Sequence, residues 1–163
     1  MARYYVNVDG ASRGNPGPAA AAMVLQDKSG KTLLTKSKFL GVTTNNVAEW
    51  AALEGAVKAL VFLTRNRKET EVIIRSDSEL IVKQFNGEFK TRDPELKRIA
   101  VRVKKTLAEN PHLKIEVIHV PREENRLADE AANKVLDQHL RRKGSPKQTA
   151  KRSPGGDDIS SIP

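Results

Sequence analysis

The stretch Val6-Asn7-Val8-Asp9-Gly10-Ala11-Ser12-Arg13-Gly14-Asn15-Pro16-Gly17-Pro18 constrains the fold more than any other part of the chain. Tyr4 to Val8 is a β-favouring run that ends in an acid. The residues after that acid are almost too small to pack, and they turn through glycines and prolines before a second apolar run, Ala19 to Leu25. An acid at a strand end is held rigidly, and small neighbours let another backbone come close to it. Taken alone, the segment reads equally well as a solvated turn. Three more acids in comparable positions, Glu49, Asp77 and Asp129, break that tie.

The element order follows from periodicity and punctuation. Arg3–Asp9, Ala19–Gln26 and Thr32–Leu40 read as three strands, the last two joined by the hairpin turn Asp27-Lys28-Ser29-Gly30. A helix runs from about Asn45 to Thr64, with Leu53, Ala56, Leu60 and Leu63 on one stripe. Glu71–Ser76 is a fourth strand, and Ser78–Phe85 is a short helix broken by Asn86-Gly87. Asp93 caps a further helix with Pro94 at its first position and Leu96, Ile99, Val103 and Leu107 on one face. Leu113–Val120 is the fifth strand and Leu127–Leu140 the last helix. Short turns make the first three strands antiparallel. Strands that arrive through helices lie parallel to the first. The expected fold is α/β, a mixed five-stranded sheet with helices on both faces.

The apolar periodicity stops near Arg142. Residues 1–142 are expected to form one domain, and 143–163, rich in Gly, Ser, Pro and Lys, a disordered basic tail. The formal net charge is +9, of which +3 falls from Arg142 onward, so the body is basic as well. Such a balance favours a polyanionic partner, nucleic acid above all. Cysteine is absent, which removes disulfides, thiolate metal sites and cysteine nucleophiles from consideration and suits a reducing, cytoplasmic setting. No signal-like or membrane-spanning run is present, so no membrane partner is expected. No obligate protein partner is evident, and a monomer is expected.

Asp9 and Asp77 fall at the carboxyl ends of strands expected to be parallel, where open α/β sheets bind ligands. Glu49 lies on the core-facing stripe of the first long helix, and Asp129 sits above Ala132 and Leu136 on the last. Inward-facing acids are costly unless paired or bound to a metal. Four clustered carboxylates would need cations, and hard oxygen donors suit Mg²⁺ or Mn²⁺. Several carboxylates around two ions fit in-line phosphodiester chemistry. Each acid singly also reads as a cap or a surface charge; the joint arrangement weighs against that.

Four motifs now stand in order: Asp9-Gly10-Ala11-Ser12-Arg13-Gly14-Asn15-Pro16-Gly17, Thr43-Thr44-Asn45-Asn46-Val47-Ala48-Glu49, Ser76-Asp77-Ser78, and Glu124-Asn125-Arg126-Leu127-Ala128-Asp129. With them the chain, from residue 3 to about 141, resembles a type 1 ribonuclease H of the form that lacks the basic protrusion. The resemblance implies a metal-dependent endonuclease that hydrolyses the RNA strand of RNA–DNA hybrids, leaving 5′-phosphate and 3′-hydroxyl ends. It carries the metal-binding, catalytic roles over to Asp9, Glu49, Asp77 and Asp129, with two Mg²⁺ (or Mn²⁺) ions when substrate is bound. It places Gly10, Ser12, Asn15, Thr44, Asn45 and Asn46 against the hybrid. The backbone near Gly10–Ser12 would sense the 2′-hydroxyl that separates RNA from DNA. It also gives His119 a part in proton transfer or product release, where the residue by itself reads as a solvated strand-end histidine.

Two departures stand out. The stretch Lys83–Arg92 is short and has no tryptophan, so the groove for the DNA strand would fall to Lys83, Lys90, Arg92 and Lys97. The single tryptophan, Trp50, follows Glu49 and reads as core. Two alternatives remain beside the hybrid-specific enzyme: a non-catalytic nucleic-acid-binding domain of the same fold, and a related nuclease with broader duplex specificity. A binding-only descendant would have no reason to keep four mutually repelling acids.

Overall fold

The computed structural model describes residues 2–144. Five strands, β1 (Ala2–Ser12), β2 (Gly17–Gln26), β3 (Thr32–Thr43), β4 (Thr70–Ser76) and β5 (Leu113–His119), form one sheet in the order β3-β2-β1-β4-β5. The β1–β2 and β2–β3 pairs are antiparallel; β1–β4 and β4–β5 are parallel. The helices are α1 (Asn45–Leu63), α2 (Glu79–Phe85), α3 (Pro94–Ala108) and α4 (Arg126–Gly144), the last entered through a 3-10 turn over Arg122–Asn125. Among these helices none is long and apolar enough to cross a membrane. The expected tail falls, from residue 145 on, outside the described residues.

β1 is longer than its sequence suggests. Its parallel ladder with β4 stops at Val8 opposite Ser76, but Asp9 through Ser12 go on pairing with Ala22 through Ala19 of β2. The Asp-Gly-Ala-Ser run has little strand propensity, and the neighbouring strand holds it extended. Asp9 is therefore not the end of its strand. It sits where the parallel half of the sheet stops while its own backbone is still clamped on the other side. The turn over Asp27–Gly30 is as expected: Asp27 Oδ1 accepts from the Ser29 and Lys31 N–H groups at 2.9 and 3.0 Å, and Gly30 takes φ +87.

Alternation along the strands splits the core into two layers. Val6 and Val8 of β1 and Ala21, Met23 and Leu25 of β2 pack with α1, α2 and α3. Ala20 and Ala22 face the other way, onto Ala132 and Leu136 of α4, where the small side chains let that helix lie close to the sheet. α1 is apolar nearly all round: Trp50, Leu53, Ala56, Val57 and Leu60 are all buried, because the sheet covers one side and α3 another. Trp50 is core, its indole N–H donating to Gln84 Oε1 at 2.8 Å. The stripe ends at Leu60, since Leu63 is 39% exposed. Asp93 caps α3 by accepting from the Glu95 and Leu96 N–H groups at 2.9 and 3.1 Å, a contact of about 1 kcal/mol.

Candidate active site

The acids converge at the carboxyl edge of the sheet because β4 ends and α1 begins beside the point where β1 loses its parallel partner. β1 supplies Asp9. β4 ends at Ser76, whose Oγ accepts from the Ser78 N–H at 3.1 Å and tightens the step into α2, so Asp77 is held between them. α1 starts beside β1, with Thr44 as its N-cap accepting from the Val47 N–H at 3.2 Å. Its approach depends on Gly10: a Cβ there would land inside the backbone of Ala48 and Glu49. The closeness lets the Gly10 N–H donate to Glu49 Oε1.

One oxygen from each of Asp9, Glu49 and Asp77 lies within 4.8 Å of the others. Asp9 and Glu49 are buried and Asp77 is half-buried. At such spacing each ionised pair repels by about 3 kcal/mol at an effective dielectric of about 20. Burial, then the charges of Glu49 and Asp77, push the Asp9 carboxyl up to about 10; Asp129 adds to this by accepting its hydrogen bond. Burial raises Glu49 to about 7, against the pull of the Gly10 N–H, which favours the charged form. An all-oxygen donor set whose charge is so poorly tolerated fits a hard divalent cation.

Asp129 reaches the same cleft from the first turn of α4, outside the tight group of three. Its Oδ1 accepts from Asn133 Nδ2 at 3.1 Å and lies 3.9 Å from Arg122 Nη2. The cleft is open, about 470 Å³, and lined also by Ser12, Asn45, Ser78, Arg122 and Asn133.

Of the other expected site residues, Ser12 donates through Oγ to the Thr43 carbonyl at 3.1 Å, and Asn15 Oδ1 accepts from the Asn45 N–H at 3.0 Å. Asn15 and Thr44 thus both cap α1 and tie the β1–β2 turn to it, while Asn45 is exposed and Asn46 half-buried. His119 is not in the cleft lining: it ends β5 opposite Ser76 and is exposed. Lys83 pairs with Glu79 at 2.7 Å and lies over the Phe89 ring, whereas Lys90, Arg92 and Lys97 are exposed.

Four contributors are given no role by the sequence reading. Asn125 is fully buried and donates through Nδ2 to the Val8 carbonyl at 2.8 Å, and Asn7 Nδ2 donates to the Glu124 carbonyl at 2.8 Å. These bonds fasten the turn before α4 to β1, next to Asp9. Asn133 is one helical turn past Asp129, a spacing that could have revealed it. Arg122 carries no local signal.

A mixed sheet of this order with carboxylates gathered at its edge, backed by one helix on the far face, is the ribonuclease H-like fold. The family model described as reverse transcriptase-like matches residues 7–135. The ribonuclease HI of Halobacterium salinarum is 39% identical over 83% of this chain and 65% of its own length. The bifunctional protein Rv2228c of Mycobacterium tuberculosis is 35% identical over 81% of this chain and 35% of its own. The chain therefore spans about two thirds and about one third of those curated relatives. LC11-RNase H1, isolated from compost and solved in complex with an RNA/DNA hybrid, superposes with a TM-score of 0.80 at 39% identity, over 84% of this chain and 99% of its own. The chain belongs to the type 1 ribonuclease H family.

Proposed function

We propose that the protein is an endoribonuclease that hydrolyses the RNA strand of RNA–DNA hybrids and leaves 5′-phosphate and 3′-hydroxyl ends. The observation that carries this is the group of buried Asp9 and Glu49 and half-buried Asp77, with ligand oxygens within 4.8 Å and Asp129 beside them in an open cleft. A module that only bound nucleic acid would gain nothing from buried carboxylates that repel each other and the phosphates alike. The solved hybrid complex of LC11-RNase H1 supports the choice of substrate.

Asp9, Glu49, Asp77 and Asp129 would hold two divalent ions, Mg²⁺ or Mn²⁺. When bound, such ions activate water and neutralise the leaving oxygen. The chain's own residues do the rest. The Gly10 N–H keeps Glu49 aimed at Asp9. Gly10 and Ser12, on the strand edge that lines the cleft, meet the RNA strand and its 2′-hydroxyl. Asn15, Thr44, Asn45 and Asn46 cluster where α1 begins, and in this reading the amides not used in capping meet sugar and base edges. His119, exposed at the end of β5, takes a proton or helps product to leave.

The test is cleavage of matched RNA–DNA, RNA–RNA and DNA–DNA duplexes with and without Mg²⁺. Cutting confined to the RNA of the hybrid, dependent on a divalent ion, is expected. Cleavage in EDTA, or products ending in 2′,3′-cyclic phosphate, would overturn the reading, because the attacking group would then be the 2′-hydroxyl.

A further inference from the structure

Arg13 belongs to the glycine-rich motif but has no part in the function proposed above. Its backbone is fixed at the β1–β2 turn, where its N–H donates to the Pro18 carbonyl at 2.8 Å. Its guanidinium crosses to α4. There Nη2 lies 2.7 Å from Asp137 Oδ1 and donates to Asn133 Oδ1 at 3.2 Å. The amide of Asn133 in turn donates from Nδ2 to the Asp129 backbone carbonyl at 2.9 Å and to Asp129 Oδ1 at 3.1 Å.

An asparagine amide can turn over, and the wrong orientation would set its oxygen against the Asp129 carboxylate. A cation on the oxygen side removes that option, because only one orientation puts O against Arg13 and NH₂ against Asp129. Asn133 and Arg122 both address Oδ1, which leaves Oδ2 of Asp129 without either donor. The Arg13–Asp137 pair is too exposed, at 38% and 55%, to matter much for stability. Its effect is orientation. The geometry points to Asn133 as a positioning residue that sets the rotamer of Asp129, with Arg13, anchored by Asp137, locking the Asn133 amide. This rests on the metal-holding role proposed for Asp129.

The test uses Arg13→Met, Asn133→Leu and the double variant of the full chain, with two readouts. One is the Mn²⁺ concentration at the midpoint of metal-induced thermal stabilisation, without substrate. The other is steady-state cleavage of an RNA–DNA hybrid. Asn133→Leu is expected to raise the Mn²⁺ midpoint and lower kcat, each by about tenfold, the usual effect of losing a hydrogen bond behind a metal ligand, with KM unchanged. Arg13→Met should shift both in the same direction by less, and the double variant should be no worse than Asn133→Leu alone. Asn133→Gln, which restores an amide, should recover most of the loss. Additive effects in the double variant, or an Arg13→Met that raises KM and leaves the Mn²⁺ midpoint unmoved, would overturn the proposal and make Arg13 a phosphate contact. If the parent chain fails to cut hybrid but the midpoints shift as stated, the proposed activity fails and the positioning chain stands.

Discussion

Replacing Asp9 by Asn should stabilise the metal-free protein at neutral pH, and by an amount that depends on pH in a defined way. The folded chain raises Asp9 from 3.8 to about 10, so the folded state holds this proton far more tightly than the unfolded chain does. A group shifted upward leaves stability intact below its unfolded value and erodes it as pH rises toward the folded value. Between the two, each pH unit costs about 1.4 kcal/mol. At pH 7 the ceiling is about 4 kcal/mol. Water entry and adjustment of the half-exposed Asp77 lower this, and we expect a gain of about 2 kcal/mol, or roughly 5–10 °C in melting temperature. Asn keeps the shape and has no proton to lose in this range. Calorimetry of both proteins in EDTA at pH 4, 5.5, 7 and 8.5 measures the gap. It should be smallest at pH 4, about 0.6 kcal/mol, where the unfolded carboxyl is only a little more than half ionised, and widen with pH. Millimolar Mg²⁺ should lift the parent and leave Asp9→Asn behind, since ligand binding to the folded state adds stability, while hybrid cleavage by the variant falls by orders of magnitude. A gap that is constant with pH, or a variant less stable than its parent, would refute the account of Asp9 as a buried, repelled carboxyl.

Gly10→Ala should lower stability by at least about 3 kcal/mol, because the new methyl meets backbone of α1 rather than a side chain that could move; thermal denaturation checks this, and a well-folded, active Ala variant would contradict it. Asn125→Ala should cost about 1–3 kcal/mol by leaving the buried Val8 carbonyl without its donor, and urea titration gives the value. His119→Ala should slow turnover by about 10²-fold, the low end for loss of a proton-transfer group. The same variant should leave the melting temperature unchanged, since His119 is exposed; an unaltered kcat would remove it from the mechanism.

The order of strands and helices, the cap at Asp93, the hairpin at Asp27–Gly30 and the core position of Trp50 were all legible in the sequence. Each is written in residues within one or two turns of each other, where 2.0 and 3.6 periodicities and capping chemistry operate. The four acids were legible too, as carboxylates in positions that make little sense singly.

What the sequence did not contain is anything set by register between distant segments. Asp9 lies inside a strand because β2 continues to pair after β4 has stopped, and no local propensity records that. Glu49 finds the Gly10 N–H across 39 residues, and Asn125 finds the Val8 carbonyl across 117. Arg13 and Asn133 meet across 120, because α4 lies on the alanine face of β2. The crossover connections and the packing of helices on opposite faces bring these groups together. Burial then turns two ordinary acids, Asp9 and Glu49, into reluctant anions, since desolvation acts only once the sheet and α1 enclose them. Local chemistry decided which residues are present; only the closed tertiary structure decided which of them touch.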